Sequence, residues 1–138
     1  MTTAKSMVVA LVLASAGLTA CGSGNSANNE TAADAPNQIP QRFHGRWRYN
    51  ASDCTQGPGG SVIGQDVFAD RVEANMSVYT VTGVEARPEN RIMISATRAA
   101  RGGGEPSQPD TLDFALSPDG NTLRWTIRGG STALARCP

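Results

Sequence analysis

The sequence predicts an all-β fold, a small antiparallel barrel or sandwich of about seven strands, preceded by a signal peptide and a disordered linker. Two observations indicate the β fold. From residue 41 onwards, short stretches of alternating apolar and polar residues recur, and turn-forming residues separate them. A third observation divides the chain, because the composition changes near residues 20 and 40. We therefore expect a signal peptide at 1–20, a lipidated cysteine with a flexible linker at 21–40, and one folded domain at 41–138.

A hairpin near the C-terminus is the clearest element. Residues 111–116 and 122–127 alternate with period two, and Pro118 and Gly120 lie between them at positions that favour a tight turn. The alternation predicts an inward set of Leu112, Phe114, Leu116, Leu123, Trp125 and Ile127.

The first predicted strand spans residues 43–49 and has one apolar and one polar face. Period two places Phe43, Trp47 and Tyr49 on the inner face. The same period places His44, Arg46 and Arg48 on the outer face. The aromatic residues expected to supply much of the core are Phe43, Trp47, Phe68, Phe114 and Trp125.

The remaining strands are predicted at 71–76, 77–86, 91–99 and 132–136 from their β-branched residues. A short helix over 65–75 is an alternative for part of this region. Residues 101–110 form a predicted loop. Its three successive glycines could favour phosphate, but no Lys-Ser/Thr pair follows them, so a hairpin loop is the better interpretation.

The N-terminal segment has the order required for export. Lys5 is followed by an uncharged apolar stretch at 7–18, which is shorter than the ~20 residues needed to span a bilayer. The segment ends in Leu18-Thr19-Ala20-Cys21, which resembles the lipobox of bacterial lipoproteins. An ordinary signal peptide followed by an unrelated cysteine is the alternative.

The resemblance implies diacylglycerol on Cys21 as the new N-terminus, with a further acyl chain such as palmitate on its amine. Two or more chains anchor a protein stably, whereas one does not. Gly22 follows the cysteine where an Asp would commonly retain lipoproteins in the inner membrane. The resemblance therefore implies a lipid-anchored envelope protein, with the outer membrane favoured if the source is Gram-negative.

Residues 22–40 carry one sizeable apolar residue, Ile39, and predict a tether with a reach of roughly 25 Å.

Three cysteines are predicted to have two separate roles. With Cys21 used by lipid, Cys54 and Cys137 remain in an oxidising compartment, where a disulfide is the simplest outcome. Metal ligation is disfavoured because the chain has one histidine and no closely spaced cysteine pair. A redox pair would need a Cys-x-x-Cys motif, which is absent.

The domain offers few groups for catalysis, and we expect no enzyme activity, cofactor or metal. His44 is the one histidine, and no particular serine or carboxylate is paired with it in the pattern. Asp66, Asp70 and Glu73 are close in sequence, but a solvated surface beside Arg71 is their simpler role. The domain has eleven arginines and ten carboxylates, which argues against nucleic acid. A row of Arg46, Arg48, Arg124 and Arg128 could meet an anionic partner if their strands are neighbours.

The triplet Gly45-Arg46-Trp47 resembles the Gly-x-Trp of lipocalins. In that family the Trp closes the barrel floor, and an arginine near the C-terminal end stacks on it. The resemblance implies that Arg136, or alternatively Arg128, pairs with Trp47 by cation–π contact.

The function expected from these features is a non-enzymatic envelope binding module for a protein, glycan or lipid. A lipocalin-like carrier of a small apolar ligand is one alternative. Inhibition of lysozyme, which small disulfide-closed β-barrel lipoproteins are known to perform, is another.

The predicted anchor can be tested by fractionation. Cys21→Ser removes the lipobox thiol that would carry the thioether-linked lipid, so the protein should leave the membrane fraction or accumulate unprocessed. The double variant Cys54→Ser/Cys137→Ser keeps Cys21 and should remain with membranes. An unchanged fractionation and mass of Cys21→Ser would contradict the anchor.

Overall fold

The computed structural model describes residues 37–138, which form one closed antiparallel barrel. The eight strands follow one another around the barrel in chain order, and β1 pairs with β8 to close it. The strands are β1 Gly45–Arg48, β2 Gly64–Val67, β3 Arg71–Ala74, β4 Ser77–Arg87, β5 Arg91–Ala100, β6 Gln108–Leu116, β7 Thr122–Ile127 and β8 Gly130–Arg136. Two short 3-10 helices, η1 Gln41–Phe43 and η2 Ala51–Thr55, precede and follow β1. The predicted signal peptide, Cys21 and most of the predicted linker lie outside the described residues.

The predicted all-β barrel is confirmed, and the number of strands is eight. The predicted C-terminal hairpin is β6–β7, with Phe114 opposite Trp125 and Leu116 opposite Leu123. The additional strand is β2, which pairs with β1 and β3. A helix over 65–75 is wrong, because two strands and a turn occupy this region.

The core fills the part of the barrel around β1 and β5–β8. Its largest fully buried apolar side chains come from six different elements, so each strand contributes alternate residues to one interior. These side chains are Ile39, Phe43, Trp47, Ile92, Ile94, Leu112, Phe114, Leu123 and Leu134. At about 1.5–3 kcal/mol for each large buried side chain, this cluster is the main favourable term in folding.

Helix η1 and the end of β8 close one end of the barrel. Phe43 is buried from η1, and the indole Nε1 of Trp47 donates to the Phe43 carbonyl at 3.0 Å. The guanidinium of Arg136 lies 4.2 Å from the centroid of the Trp47 ring. The same guanidinium donates to the carbonyls of Arg42, His44 and Gly120. One side chain therefore joins η1, the start of β1 and the β6–β7 turn.

Gly45 fits this closure for two reasons. Its φ of +128° lies in a region that side chains rarely adopt. A Cβ at this position would also lie 3.2 Å from Nη1 of Arg136. The glycine of the Gly-x-Trp triplet is thus explained by backbone conformation and by the approach of Arg136.

Three expected orientations differ in the structure. Arg48, predicted on an outer face, is fully buried, because the β1–β2 connection with η2 covers it from outside. Tyr49, predicted in the core, lies just beyond β1 and is 60% exposed. Phe68 was expected in the core and is 37% exposed in the β2–β3 turn, where Arg71 stacks on its ring. Phe43 is in the core but belongs to η1 rather than to the first strand.

The buried Arg48 is neutralised and saturated with hydrogen bonds. It donates to the carbonyls of Trp47, Gln65 and Gln56 at 2.7–3.1 Å. Its Nη2 lies 2.7 Å from Asp66 Oδ1, with the geometry of an ion pair rather than of an aligned hydrogen bond. Gly64 makes room for it, since a Cβ there would lie 2.7 Å from Arg48 Cδ. Arg48 thus fixes the long β1–β2 connection against the barrel wall.

The predicted disulfide between Cys54 and Cys137 is confirmed, and it joins η2 to the residue after β8. The two cysteines are 83 positions apart. On the chain-entropy model, a loop of that length constrains the unfolded chain by roughly 4–5 kcal/mol. For a domain of this size that is a large fraction of the total stability.

The role of Arg48 predicts a large loss of stability in Arg48→Met. Removing the cation leaves Asp66 without its counter-charge, and the carbonyls of Trp47, Gln65 and Gln56 lose the donor that Arg48 supplies, which should cost about 3–5 kcal/mol. Urea unfolding followed by circular dichroism measures the change.

Arg124→Met is the matched control, because Arg124 is exposed on β7. It should change stability by no more than about 0.5 kcal/mol. Equal midpoints for the two variants would contradict the role assigned to Arg48.

Candidate functional site

The two ends of the barrel differ in chemistry. At the closed end lie η1, Arg136 and the β2–β3, β4–β5 and β6–β7 turns. At the other end, here called the open end, lie the β1–β2, β3–β4, β5–β6 and β7–β8 connections. The candidate site is a cavity at the open end.

This cavity, here called the mouth, has a volume of about 290 Å³. Its lining includes Ile63, Ala74, Met76, Ser77, Tyr79 and Trp125. Ala74 and Trp125 belong to β3 and β7, which are diametrically opposite in an eight-stranded barrel. The mouth therefore spans the interior of the barrel at its open end and is not a groove on the outer wall.

Exposed apolar side chains surround the mouth. Four large apolar residues are exposed within the described part of the chain, and three of them, Tyr49, Ile63 and Met76, lie at the open end. Met76 is 77% exposed in the β3–β4 turn. The backbone N–H of Tyr49 donates to the Ile63 carbonyl, which places these two residues side by side. An apolar cluster of this kind is typical of a contact surface.

A charged cluster lies beside the mouth on the β5–β6 side. Asp110 is largely buried and accepts from Arg128 at 2.8 Å, while Arg98 Nε lies 3.6 Å from the same carboxylate. Tyr79 is opposite Arg98 in the β4–β5 register. Burial, followed by the negative charge of Asp110, raises the pKa of the Tyr79 phenol, and the hydrogen bond with Ser77 and the two arginines partly offset this.

Gln65 is the unusual residue of the inner wall. It lies on β2, opposite Trp47 on one side and Ala74 on the other, so it occupies a position between the floor and the mouth. The residue is fully buried, and neither Nε2 nor Oε1 of its amide has a hydrogen-bond partner. A buried polar group without a partner costs about 1–3 kcal/mol.

Two larger grooves lie elsewhere and are less suitable as sites. The first, about 520 Å³, runs along β1 and β2 near His44, Asp66 and Phe68. Its polar side chains are already engaged: His44 Nε2 donates to the Ile39 carbonyl at 2.7 Å, and Asp66 pairs with Arg48. In the first groove, Asp66 Oδ1 has no aligned hydrogen bond, but Arg48 at 2.7 Å neutralises its charge. The second, about 510 Å³, lies over β4–β6, and its charged lining residues, Asp110 and Arg128, already pair with each other.

The acidic residues and arginines that the sequence suggested as possible binding or catalytic groups are either far apart or paired with opposite charges. Glu73 pairs with Arg71 and Arg101, and Asp70 pairs with Arg71. The row of four arginines does not form, because Arg48 is buried and β8 separates β1 from β7. Within residues 37–138 no group of three or more His, Cys, Asp or Glu side chains is arranged to hold a metal ion.

The structure brings Trp47 together with Arg136 at the closed end, whereas Arg128 lies at the open end with Asp110.

No helix within the described residues has the length and hydropathy needed to cross a membrane. No protein-family model matches this chain, and neither a curated protein nor a solved structure matches it.

Sequence reasoning missed the mouth. The signals were present but weak: Met76 is an apolar residue in a turn, and Gln65 breaks the apolar alternation of its strand. Their meaning depends on strands that meet only across the barrel.

The raised pKa of Tyr79 predicts how stability depends on pH at the alkaline limit. The folded protein holds the phenol proton more tightly than the unfolded chain does. This difference adds to the free energy of unfolding. The added stability is fully present below the pKa of the unfolded chain, near 10, and is lost as pH rises through the pKa of Tyr79 in the folded protein. Denaturant unfolding at stepped pH should show a steeper alkaline loss in the natural protein than in Tyr79→Phe. Parallel curves would contradict the assignment.

Proposed function

We propose that this chain is a lipid-anchored protein of the cell envelope and that its barrel is a non-enzymatic binding module. The partner, a protein, glycan or lipid, contacts the open end of the barrel. The lipobox Leu18-Thr19-Ala20-Cys21 supports the anchor and the location. The outer membrane is the favoured site in a Gram-negative envelope, because Gly22 follows the lipidated cysteine.

The observation that carries the binding role is the concentration of Tyr49, Ile63 and Met76 around the mouth. Exposing such side chains to water has no benefit for folding, whereas a partner that covers them removes apolar surface from water. In the groove beside His44, the polar side chains of His44 and Asp66 already have partners within the protein. The open end is therefore the better candidate for binding a partner molecule.

A lipocalin-like carrier is the second candidate. It is supported by the Trp47–Arg136 contact at the closed end and by the unpartnered amide of Gln65 above it. The filled core around Phe114, Leu123 and Leu134 favours a ligand held at the mouth rather than deep in the barrel. The lysozyme-inhibitor alternative has no observation that favours it over other protein partners.

Site-specific photo-crosslinking in the native envelope tests the binding role. A photoreactive phenylalanine analogue at Met76 should give a discrete adduct, detected as a defined mass shift whatever the class of partner. The matched control is the same analogue at Phe68, which is also exposed but lies at the closed end. No adduct from Met76, or equal adducts from both positions, would contradict binding at the open end.

A further inference from the structure

The second part of strand β4 has a neighbouring strand on one side only. Strand β4 pairs with β5 along its whole length, whereas its pairs with β3 end where Thr80 is opposite Arg71. One more backbone bond follows on that side, from the Val81 N–H to the Asp70 carbonyl at 2.9 Å. Beyond it, no strand in the described part of the chain pairs with Thr82–Arg87 on this side. These residues form an unpaired sheet edge at the closed end, here called the β4 edge.

The register assigns the backbone groups that face outward from the β4 edge. Successive residues of an antiparallel strand direct their N–H and C=O groups to opposite neighbours. The N–H of Arg101 donates to the Met76 carbonyl, so the odd-numbered residues before it on β5 point to β4. Beyond the β-bulge in β4, the partners of those residues are Gly83, Glu85 and Arg87. Val84 and Ala86 therefore point away from β5, and within residues 37–138 nothing bonds to their two N–H and two C=O groups.

A comparable edge on β6 is blocked. The pairs of β6 with β7 begin at Asp113, so residues 108–112 also lack a neighbouring strand on that side. There Pro109 has no N–H to donate. The N–H of Thr111 already donates to the carboxylate of the preceding residue at 3.0 Å. Such features prevent a further strand from adding to an exposed edge. The β4 edge lacks both of them and is open to an added strand.

The β4 edge is complementary to itself. In antiparallel pairing about a two-fold axis at Glu85, Val84 of one copy is opposite Ala86 of the other. Each such pair exchanges two backbone hydrogen bonds, so the outward groups of both copies are satisfied together. Arg87 of one copy is then opposite Gly83 of the other, where no side chain competes with it for space. One register therefore suits both the backbone and the side chains.

The charges of the β4 edge also balance about this axis. Arg87 and Glu85 are exposed and pair within one copy at 3.0 Å. In the two-fold arrangement the two Glu85 side chains face each other, and the Arg87 of the second copy is diagonal to each of them. Each carboxylate thus lies between two guanidinium groups, one from each copy. A second copy of this chain supplies the matching charges without any other partner.

We propose that the β4 edge pairs with the β4 edge of a second copy, forming a two-fold dimer with a sheet continuous across both barrels. The paired residues, 83–87, bury less than the ~1,000 Å² expected of a stable interface, so the contact is weak in dilute solution. A lipid anchor would raise the local concentration of the copies, and this part of the inference rests on the proposed anchor. The pairing uses the closed end and leaves the mouth free for another partner.

Disulfide crosslinking tests the pairing. Glu85→Cys places two thiols at a pair whose Cα atoms are about 4.5 Å apart in antiparallel strands, within the range of a disulfide. The full lipidated chain is reconstituted in liposomes at several protein-to-lipid ratios and oxidised, and non-reducing electrophoresis measures the covalent dimer. Cys54 and Cys137 are already bonded to each other, so the new thiol is the one that reacts.

Ser95→Cys is the matched control. Ser95 is exposed on the same outer face, but its strand, β5, is paired on both sides. Glu85→Cys should form dimer about tenfold faster than Ser95→Cys. Equal rates, or no dimer from Glu85→Cys, would overturn the proposal. In whole envelopes, an adduct of Glu85→Cys with a different protein in place of the dimer would also overturn it.

Ala86→Pro in the Glu85→Cys background separates edge pairing from random collision. It removes an outward N–H and leaves the β4–β5 bonds in place, so the circular dichroism spectrum should not change. Each dimer loses two hydrogen bonds, so the dimer yield should fall at least about fivefold. A retained yield in the folded variant would contradict pairing through this edge.

Hydrogen exchange tests the same edge without a substitution. In the natural protein, the amides of Val84 and Ala86 should exchange more slowly as the density of protein on the liposomes rises, because pairing removes them from water. An exchange rate independent of density would count against the dimer.

The anchor and the pairing can fail separately. If the chain does not bind liposomes, the proposed anchor fails. The crosslinking is then measured in solution at ~1 mM, where Glu85→Cys should still react faster than Ser95→Cys. Equal rates there would overturn the pairing as well.

Discussion

Closure of the barrel depends on the seam between β1 and β8, which has only two residue pairs, Trp47 with Arg136 and Arg48 with Ala135. Such a short seam is a weak point in a β-barrel, where every strand must be paired on both sides. Three independent contacts reinforce it. Arg136 joins three backbone segments below the seam, Cys137 donates its N–H to the Arg46 carbonyl, and the disulfide holds η2 across it. Residues that looked unrelated in the sequence thus serve one constraint.

Local patterns predicted most of the fold. The β6–β7 hairpin was predictable because its alternation and its turn lie within one short stretch of chain. Strand β2 was missed because Gly64, Gln65 and Asp66 give no apolar alternation: Gly64 is needed for space beside Arg48, and Gln65 is a polar residue on the inner face. The burial of Arg48 could not be predicted, since it depends on a connection that folds back over the strand.

The candidate site was less accessible to sequence reasoning than the fold. Its residues come from β2, β3, β4 and β7, and β3 faces β7 across the interior. No spacing within a single strand indicates that Tyr79 and Trp125 share a cavity. The same is true of Gln65, since a missing hydrogen-bond partner is a property of the assembled interior. By contrast, the triplet Gly45-Arg46-Trp47 did indicate the contact of Trp47 with Arg136 at the closed end, because this triplet is a local sequence pattern.

The disulfide has a mechanical consequence for a protein tethered at its N-terminus. The chain enters the barrel at the closed end, where the N–H of Ile39 is bound to the Ala69 carbonyl, so tension from the predicted anchor would first pull on η1 and β1. Unravelling in that direction meets a covalent stop at Cys54, which is bonded to Cys137, the residue that follows β8 in the chain. The load then passes directly from Cys54 to Cys137 through the disulfide and bypasses β2–β8. Residues 55–136 would therefore stay inside a covalent loop and would not be drawn out as an extended chain.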